Sequence, residues 1–149
     1  MGPFTLATAC TGNKYILVVT DYCTKWVEAK ALRHIVASTN KFLYEQIWCS
    51  FGCPIELISD QGSHFLNMIV SDLTKHYVVV HQKSTLYYPH ANGLAKSTNK
   101  TLQNILKKVV NDNRTDWDTK LYTALWAYNT SFKTSVQSTT FRLTFGLEF

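Results

Sequence analysis

A basic stripe runs along the longest amphipathic stretch of the chain. Lysines and one glutamine follow one another at i, i+4, i+7 and i+11, so they share one outward helical face: Lys96, Lys100, Gln103 and Lys107. A second stripe at helical spacing predicts the face toward a core: Leu94, Thr98, Leu102, Ile105, Leu106 and Val109. Positive charge on one face attracts phosphate groups. An ordinary solvated lysine face explains the same periodicity, so the spacing alone leaves both interpretations open.

An acidic residue closes a second stretch that could carry chemistry. Residues 55–59 form an apolar run of strand length, and Asp60 follows immediately. The end of a strand is a position from which a side chain can point into a crevice. Gly62 then predicts a tight turn before a short helix. Asp60 therefore stands where a site residue can act.

The cysteines and histidines suggest an alternative zinc site. Cys49 and Cys53 precede His76 and His81, but the 22 residues between the two pairs exceed the spacing of zinc fingers. Cys49 is predicted near a helix end, whereas the histidines flank a strand. Because the N-terminus lacks the pattern of a secretory signal, all four cysteines are expected to be free thiols.

Composition favours one globular domain that spans 1–149. Hydrophobic residues make up 46% of the 149 residues, which is typical of a chain with a packed core. The net charge of +5 and the pI of about 9.0 are compatible with nucleic-acid binding without being diagnostic. No apolar run approaches the ~20 residues that a membrane-spanning helix needs.

The order of the predicted elements favours an α/β fold with a mixed sheet. A hairpin is predicted at 14–32, with Asp21 in its turn. Helices are predicted over 37–51, 65–75, 92–112 and 116–130, strands over 55–59 and 77–81, and a polar linker over 131–140.

Two motifs give the chain a resemblance to a known family. The first, S-D-x-G-x-x-F, is matched by Ser59, Asp60, Gly62 and Phe65. The second, Y-x-P-x-x-N-G-x-x-E-x-x-N-K, is matched by Tyr87, Pro89, Asn92, Gly93, Asn99 and Lys100. Both resemble the catalytic core of retroviral and gypsy-type LTR-retrotransposon integrases, and the resemblance covers essentially the whole chain. It implies a ribonuclease H-like mixed sheet flanked by helices.

The resemblance implies two-metal phosphoryl transfer, in which two aspartates and one glutamate hold paired Mg²⁺ ions. Asp60 matches the second aspartate, which is both a catalytic residue and a metal ligand. Lys96 stands where the family has its glutamate, after the same 35 intervening residues (61–95). The first aspartate is expected about two residues before Met1, since the family's G-P-F-like segment matches residues 2–4. Asp21 matches a turn residue, with metal ligation as the alternative.

These departures predict a core that has lost 3′-processing and strand transfer. An ammonium at Lys96 near Asp60 would neutralise the charge that attracts Mg²⁺ and pair with that carboxylate. The central first strand of the fold is expected to be missing or incomplete, which leaves backbone groups of its neighbours without partners. Either residues 3–9 take its place in part, or the chain is prone to aggregate.

DNA contact depends on positive charge rather than on a metal. By resemblance, five residues fall where the family contacts retroelement ends and target DNA: Ser63, Tyr87, Asn92, Lys100 and Gln103. The resemblance also implies a homodimer and a nuclear location. The first hypothesis is an inactive integrase-core fragment of a retrotransposon that binds DNA. The second is a non-catalytic DNA-binding or protein-interaction module derived from such a core, which the sequence does not separate from a fragment without a selected role.

Overall fold

The computed structural model describes residues 11–34, 36–59, 64–83, 90–112 and 115–147. They belong to two compact units, the first containing residues up to Arg33 and from Ala95 onwards, and the second containing His34–Leu94. The prediction of a single domain stays a prediction. In chain order the elements are β1 (Tyr15–Thr20), β2 (Val27–Leu32), α1 (Val36–Phe42), a π-helical segment (Leu43–Trp48), α2 (Cys49–Phe51), β3 (Glu56–Ser59), α3 (His64–His76), β4 (Val80–Lys83), α4 (His90–Val109), α5 (Trp117–Thr130), β5 (Phe132–Lys133), β6 (Ser138–Thr139) and α6 (Thr140–Phe145).

The strands pair in three two-stranded sheets. The hairpin β1–β2 and the short hairpin β5–β6 are antiparallel, whereas β3 and β4 are parallel. Within the ranges given above, no strand pairs with both β1 and β3. Over the described residues the sheet is partial, in line with the prediction, and the proposed substitute at residues 3–9 lies outside them.

The turn of the first hairpin confirms the predicted turn role of Asp21. Its Oδ2 atom accepts hydrogen bonds from the Thr24 backbone N–H at 2.7 Å and from the Thr24 hydroxyl at 2.8 Å. Its backbone carbonyl also accepts from the Lys25 N–H at 3.1 Å. A carboxylate that satisfies donors of its own turn stabilises the reversal of the chain. Asp21 is thus committed to the hairpin.

The core of the first unit forms around the hairpin, α4 and α5. The predicted inward stripe of α4 is confirmed, because Thr98, Leu102 and Leu106 are buried, and Ile105 and Val109 pack against the same cluster. The buried members of this cluster are Ile16, Val27, Ala29, Leu102, Leu106, Trp117, Leu121, Ala124, Leu125 and Tyr128. Burial of these apolar side chains is the main favourable term for this unit.

Glu28 sits half-buried on the other face of β2 and makes the stability of the unit depend on pH. Burial raises the pKa of Glu28, while a 2.9 Å hydrogen bond from Trp26 Nε1 opposes that rise. A raised carboxyl pKa means that the folded state holds a proton that the unfolded state releases. Stability therefore falls as the pH rises from the ordinary value of 4.5 through the raised folded value.

Glu28→Gln should accordingly stabilise the protein at neutral pH. The amide oxygen still accepts from Trp26, but the cost of burying a charge is removed. The gain in the free energy of unfolding should vanish at about pH 4, where Glu28 is protonated in both states. Urea titrations at the two pH values measure this, with Glu56→Gln, an exposed glutamate of β3, as the control. A Glu28→Gln gain of the same size at both pH values would contradict the assignment.

The second unit departs from the predicted boundaries at two places. The predicted helix 37–51 is continuous, but its middle is π-helical from Leu43 to Trp48. The predicted strand 77–81 starts only at Val80, because the chain turns at Tyr77 and Val78, where Val78 has a left-handed φ of 59°. The Tyr77 ring packs edge-on against Trp48 with 4.8 Å between centroids. This aromatic contact stabilises the turn, so the strand begins later than the run of apolar residues predicted.

The polar segment 131–140 is a structured hairpin that leads into a helix, and the prediction of a linker there is wrong. Phe132 pairs with Thr139, and Lys133 with Ser138. The Thr139 hydroxyl accepts from the Arg142 N–H at 3.1 Å and so caps α6. Gly146, with a φ of 72°, ends that helix in the left-handed conformation.

Candidate nucleic-acid interface

The outward face of α4 is a row of exposed lysines. Lys96, Lys100 and Lys107 are all exposed, as predicted, whereas Gln103 is half-buried. The one ion pair among the described residues joins Lys41 and Glu45, so no carboxylate in those residues neutralises the row. Unneutralised ammonium groups on one helix face are suited to phosphate contacts.

The opposite side of α4 fixes the direction in which these lysines point. Leu102 is completely buried in the core of the first unit, and the Thr98 and Tyr128 hydroxyls lie 3.4 Å apart in the interior. A helix anchored on one stripe cannot rotate without exposing that stripe, so the lysines face away from the core. Lys107, with Lys108 in the last turn, also complements the negative end of the helix dipole.

Four of the predicted site residues are not placed by the structure. Asp60, Ser63 and Tyr87 lie outside the described residues, and so does the side chain of Asn92, whose backbone belongs to α4. Their predicted contacts with metal or DNA stay predictions. Lys96, Lys100 and Gln103 are placed on one helix, which is the part of the predicted interface that the structure describes.

A polar pair at the end of the parallel sheet was missed by the sequence analysis. Ser59 Oγ lies 2.8 Å from His81 Nε2, and both side chains are half-buried. Burial lowers the pKa of His81, and the positive charge of Lys83 lowers it further. Alternate strand residues share a face, and the parallel register places Ser59 opposite Lys83, two residues from His81. The amino-acid sequence does not give this register, so it could not predict the pair.

The placed residues do not fit a metal site. An ammonium such as that of Lys96 offers only donors and repels cations, whereas Mg²⁺ requires oxygen ligands. The alternative zinc ligands Cys49, Cys53, His76 and His81 are not assembled either. Over the described stretches, no three His, Cys, Asp or Glu side chains converge on a point where an ion could bind.

In the part of the chain that the structure describes, no helix is both long and apolar enough to cross a bilayer.

Sequence relatives include integrase-like proteins and Pol polyproteins. The chain is 31% identical over 134 residues to gypsy retrotransposon integrase-like protein 1 of Bos taurus, which covers 87% of this chain and 25% of the relative. It is 33% identical over 117 residues to the Pol polyprotein of radiation murine leukemia virus (strain Kaplan), covering 77% and 20%. The chain thus spans a quarter or less of the curated relatives it matches. No family model matches the chain.

Solved structures share the fold. A chain of the simian T-cell lymphotropic virus intasome, solved in complex with a PP2A regulatory subunit, superposes with a TM-score of 0.76 at 22% identity, over 94% of this chain and 51% of that one. The HTLV-2 integrase catalytic core domain in complex with magnesium gives a TM-score of 0.69 at 19% identity, over 87% and 83%. The predicted ribonuclease H-like fold is therefore confirmed.

The sequence relatives, the shared fold and the two motifs all indicate the catalytic core of an integrase. The chain belongs to the family of integrase catalytic cores of retroviruses and gypsy-type LTR retrotransposons.

Proposed function

We propose that this integrase core binds DNA through the lysine face of α4 and does not catalyse polynucleotidyl transfer. The observation that carries the proposal is Lys96, which is exposed on that face at the position of the family's glutamate. One substitution removes an acidic ligand and adds a cation to a row that already contains Lys100 and Lys107. The same change therefore weakens metal chemistry and strengthens attraction to phosphate.

The lysine face supports binding that is independent of base sequence. Ammonium groups on long, exposed side chains meet phosphate oxygens as point charges and do not read base edges. Such binding releases condensed counterions, so its affinity should fall steeply with salt. The proposed ligand is duplex DNA, and we expect equal affinity for retroelement ends and for target DNA.

Magnesium belongs to the family expectation, since one solved relative is a catalytic core domain in complex with that ion. In this chain, Asp60 is the residue that the motif offers as a ligand, and Lys96 works against it. We therefore expect DNA binding to need no divalent cation.

We also propose that the protein self-associates and that it is located in the nucleus. One solved relative is a trimeric form and another is part of an intasome. On this chain, exposed aromatic side chains on α5 and α6 support the protein-interaction alternative: Tyr122, Trp126 and Phe145. Contiguous exposed aromatic surface is typical of interfaces, and we propose a homodimer formed through it. Sedimentation analysis measures whether the chain is a dimer.

Lys100→Ala should weaken binding about equally for unrelated duplexes. Removing one phosphate contact should reduce the magnitude of the slope of log K against log salt by roughly one unit. Fluorescence anisotropy with two labelled duplexes of different sequence, measured over a series of salt concentrations, gives both quantities.

Lys120→Ala is the matched control, because Lys120 is an exposed lysine of α5 in the same unit. It carries the same charge change without touching the α4 face. Equal affinities and slopes for the Lys100 and Lys120 variants would remove α4 from the interface.

A further inference from the structure

The face of the β3–β4 pair that carries Ser59 also presents two basic side chains next to each other. The parallel register places Leu57 opposite His81 and Ser59 opposite Lys83, so these four residues alternate onto one face. Ser59 Oγ lies 2.8 Å from His81 Nε2, which fixes the imidazole ring. Lys83 is exposed beside it.

Among the described residues, no acidic side chain forms an ion pair with this face. Glu56 lies opposite Val80 and projects to the other face of the pair. The helix α3, which packs against β4, carries Asp72, Lys75 and His76, and none of these joins an ion pair with His81 or Lys83. The positive charge of Lys83 already disfavours the charged form of His81. A neighbouring anion would relieve that repulsion.

We propose that His81 and Lys83, with Ser59 holding the imidazole ring, form a binding site for a phosphate group. The site belongs to the second unit, whereas Lys96, Lys100 and Lys107 of α4 belong to the first. A phosphate oxygen accepts from the ammonium of Lys83, and a second oxygen accepts from an N–H of His81 once the ring is protonated. The phosphodiester of DNA is its occupant, a step that rests on the proposed function.

Inorganic phosphate tests the site without DNA. Proton NMR titration of the His81 ring, assigned with His81→Gln, should show that phosphate raises its pKa by roughly one unit relative to chloride at equal ionic strength. Lys83→Ala should abolish the phosphate-dependent rise, whereas Lys75→Ala on α3 should leave it intact. The exposed His34 is the internal reference. An equal His81 pKa in phosphate and chloride, or a rise that survives Lys83→Ala, overturns the site.

DNA separates the two sources of phosphate. If the backbone of a duplex occupies the site, Lys83→Ala should lower the magnitude of the salt slope by roughly one unit. A DNA slope unchanged by Lys83→Ala overturns DNA as the occupant. If the unmodified chain binds no DNA while phosphate still raises the His81 pKa, the proposed function fails and the phosphate site is supported with the free anion as its ligand.

Discussion

Replacing Asn129 with leucine should lower the free energy of unfolding by about 2–6 kcal/mol. Asn129 is 5% exposed near the end of α5, and its side-chain amide bonds both backbone groups of Val27 in β2. The Val27 N–H donates to Oδ1 at 3.1 Å, and Nδ2 donates to the Val27 carbonyl at 2.9 Å. Leucine would leave a buried donor and a buried acceptor unsatisfied, and each costs about 1–3 kcal/mol.

Asn129 also connects the hairpin to the C-terminal helix. The Thr140 hydroxyl donates to the Asn129 backbone carbonyl at 2.8 Å and lies 3.2 Å from its Oδ1. One amide thus joins β2, α5 and the start of α6. The loss should therefore be cooperative and should destabilise the whole first unit rather than fray one end.

Chemical denaturation measures the loss, and Asn104→Leu is the matched control because Asn104 is exposed on α4. Asn129→Asp gives a second measurement. It keeps the acceptor for the Val27 N–H but replaces the donor with a buried charge, so its deficit should shrink as the pH falls and the acid is protonated. Equal stability of the Asn129→Leu and Asn104→Leu variants would contradict the bridging role.

The sequence could predict the elements whose pattern is local. The inward stripe of α4 and the turn at Asp21 each follow from residues within a few positions of one another, and both are confirmed. The hydrogen bond between Asn129 and Val27 joins residues 102 positions apart, so no local sequence pattern predicts it. The same limit hid the Ser59–His81 pair, because it depends on the register of two parallel strands.

The two wrong predictions have different causes. Tyr77 and Val78 have strand-forming side chains, yet the chain turns there because the Tyr77 ring packs on Trp48 and Tyr44. That tertiary contact overrode intrinsic preference. The segment 131–140 was predicted as a polar linker, yet the pairing of Phe132 with Thr139 and the cap by the Thr139 hydroxyl order it. These contacts are local, and the polar composition of the segment concealed them.

The two motifs that identified the family lie partly outside the described residues, which do not include Asp60, Gly62, Tyr87 and Pro89. Asp60 and Tyr87 are assigned to the site by the sequence motifs alone. Lys96 and Lys100 are assigned by the second motif, and the structure places both on an exposed helix face. The catalytic half of the candidate site therefore rests on the motif, and the binding half rests on motif and structure together.

Lys96→Glu should lower DNA affinity by about tenfold or more at low salt. The substitution removes a cation from the α4 face and introduces an anion that repels phosphate, and a charge-assisted contact contributes about 1.5–3 kcal/mol. Lys120→Glu on α5 carries the same charge change away from that face and should cost much less. Anisotropy titrations of both variants against one duplex measure the difference. Equal losses would mean that only net charge matters and that α4 is no interface.

The same substitution should not give Mg²⁺-dependent cutting of DNA. In a polypeptide of these 149 residues, glutamate at position 96 restores one carboxylate of the motif and Asp60 supplies another, while residues 1–20 contain no acid. Asp21 itself is held in the hairpin turn by Thr24. Two-metal catalysis needs ligands that clamp both the attacking and the leaving oxygen, and two carboxylates of three leave that clamp open.

Nicking of a labelled duplex in Mg²⁺ or Mn²⁺ measures activity, with Asp60→Asn as the negative control. Cutting by the unmodified chain or by Lys96→Glu, abolished by Asp60→Asn, would show that a third ligand exists and would return Asp21 as its leading candidate.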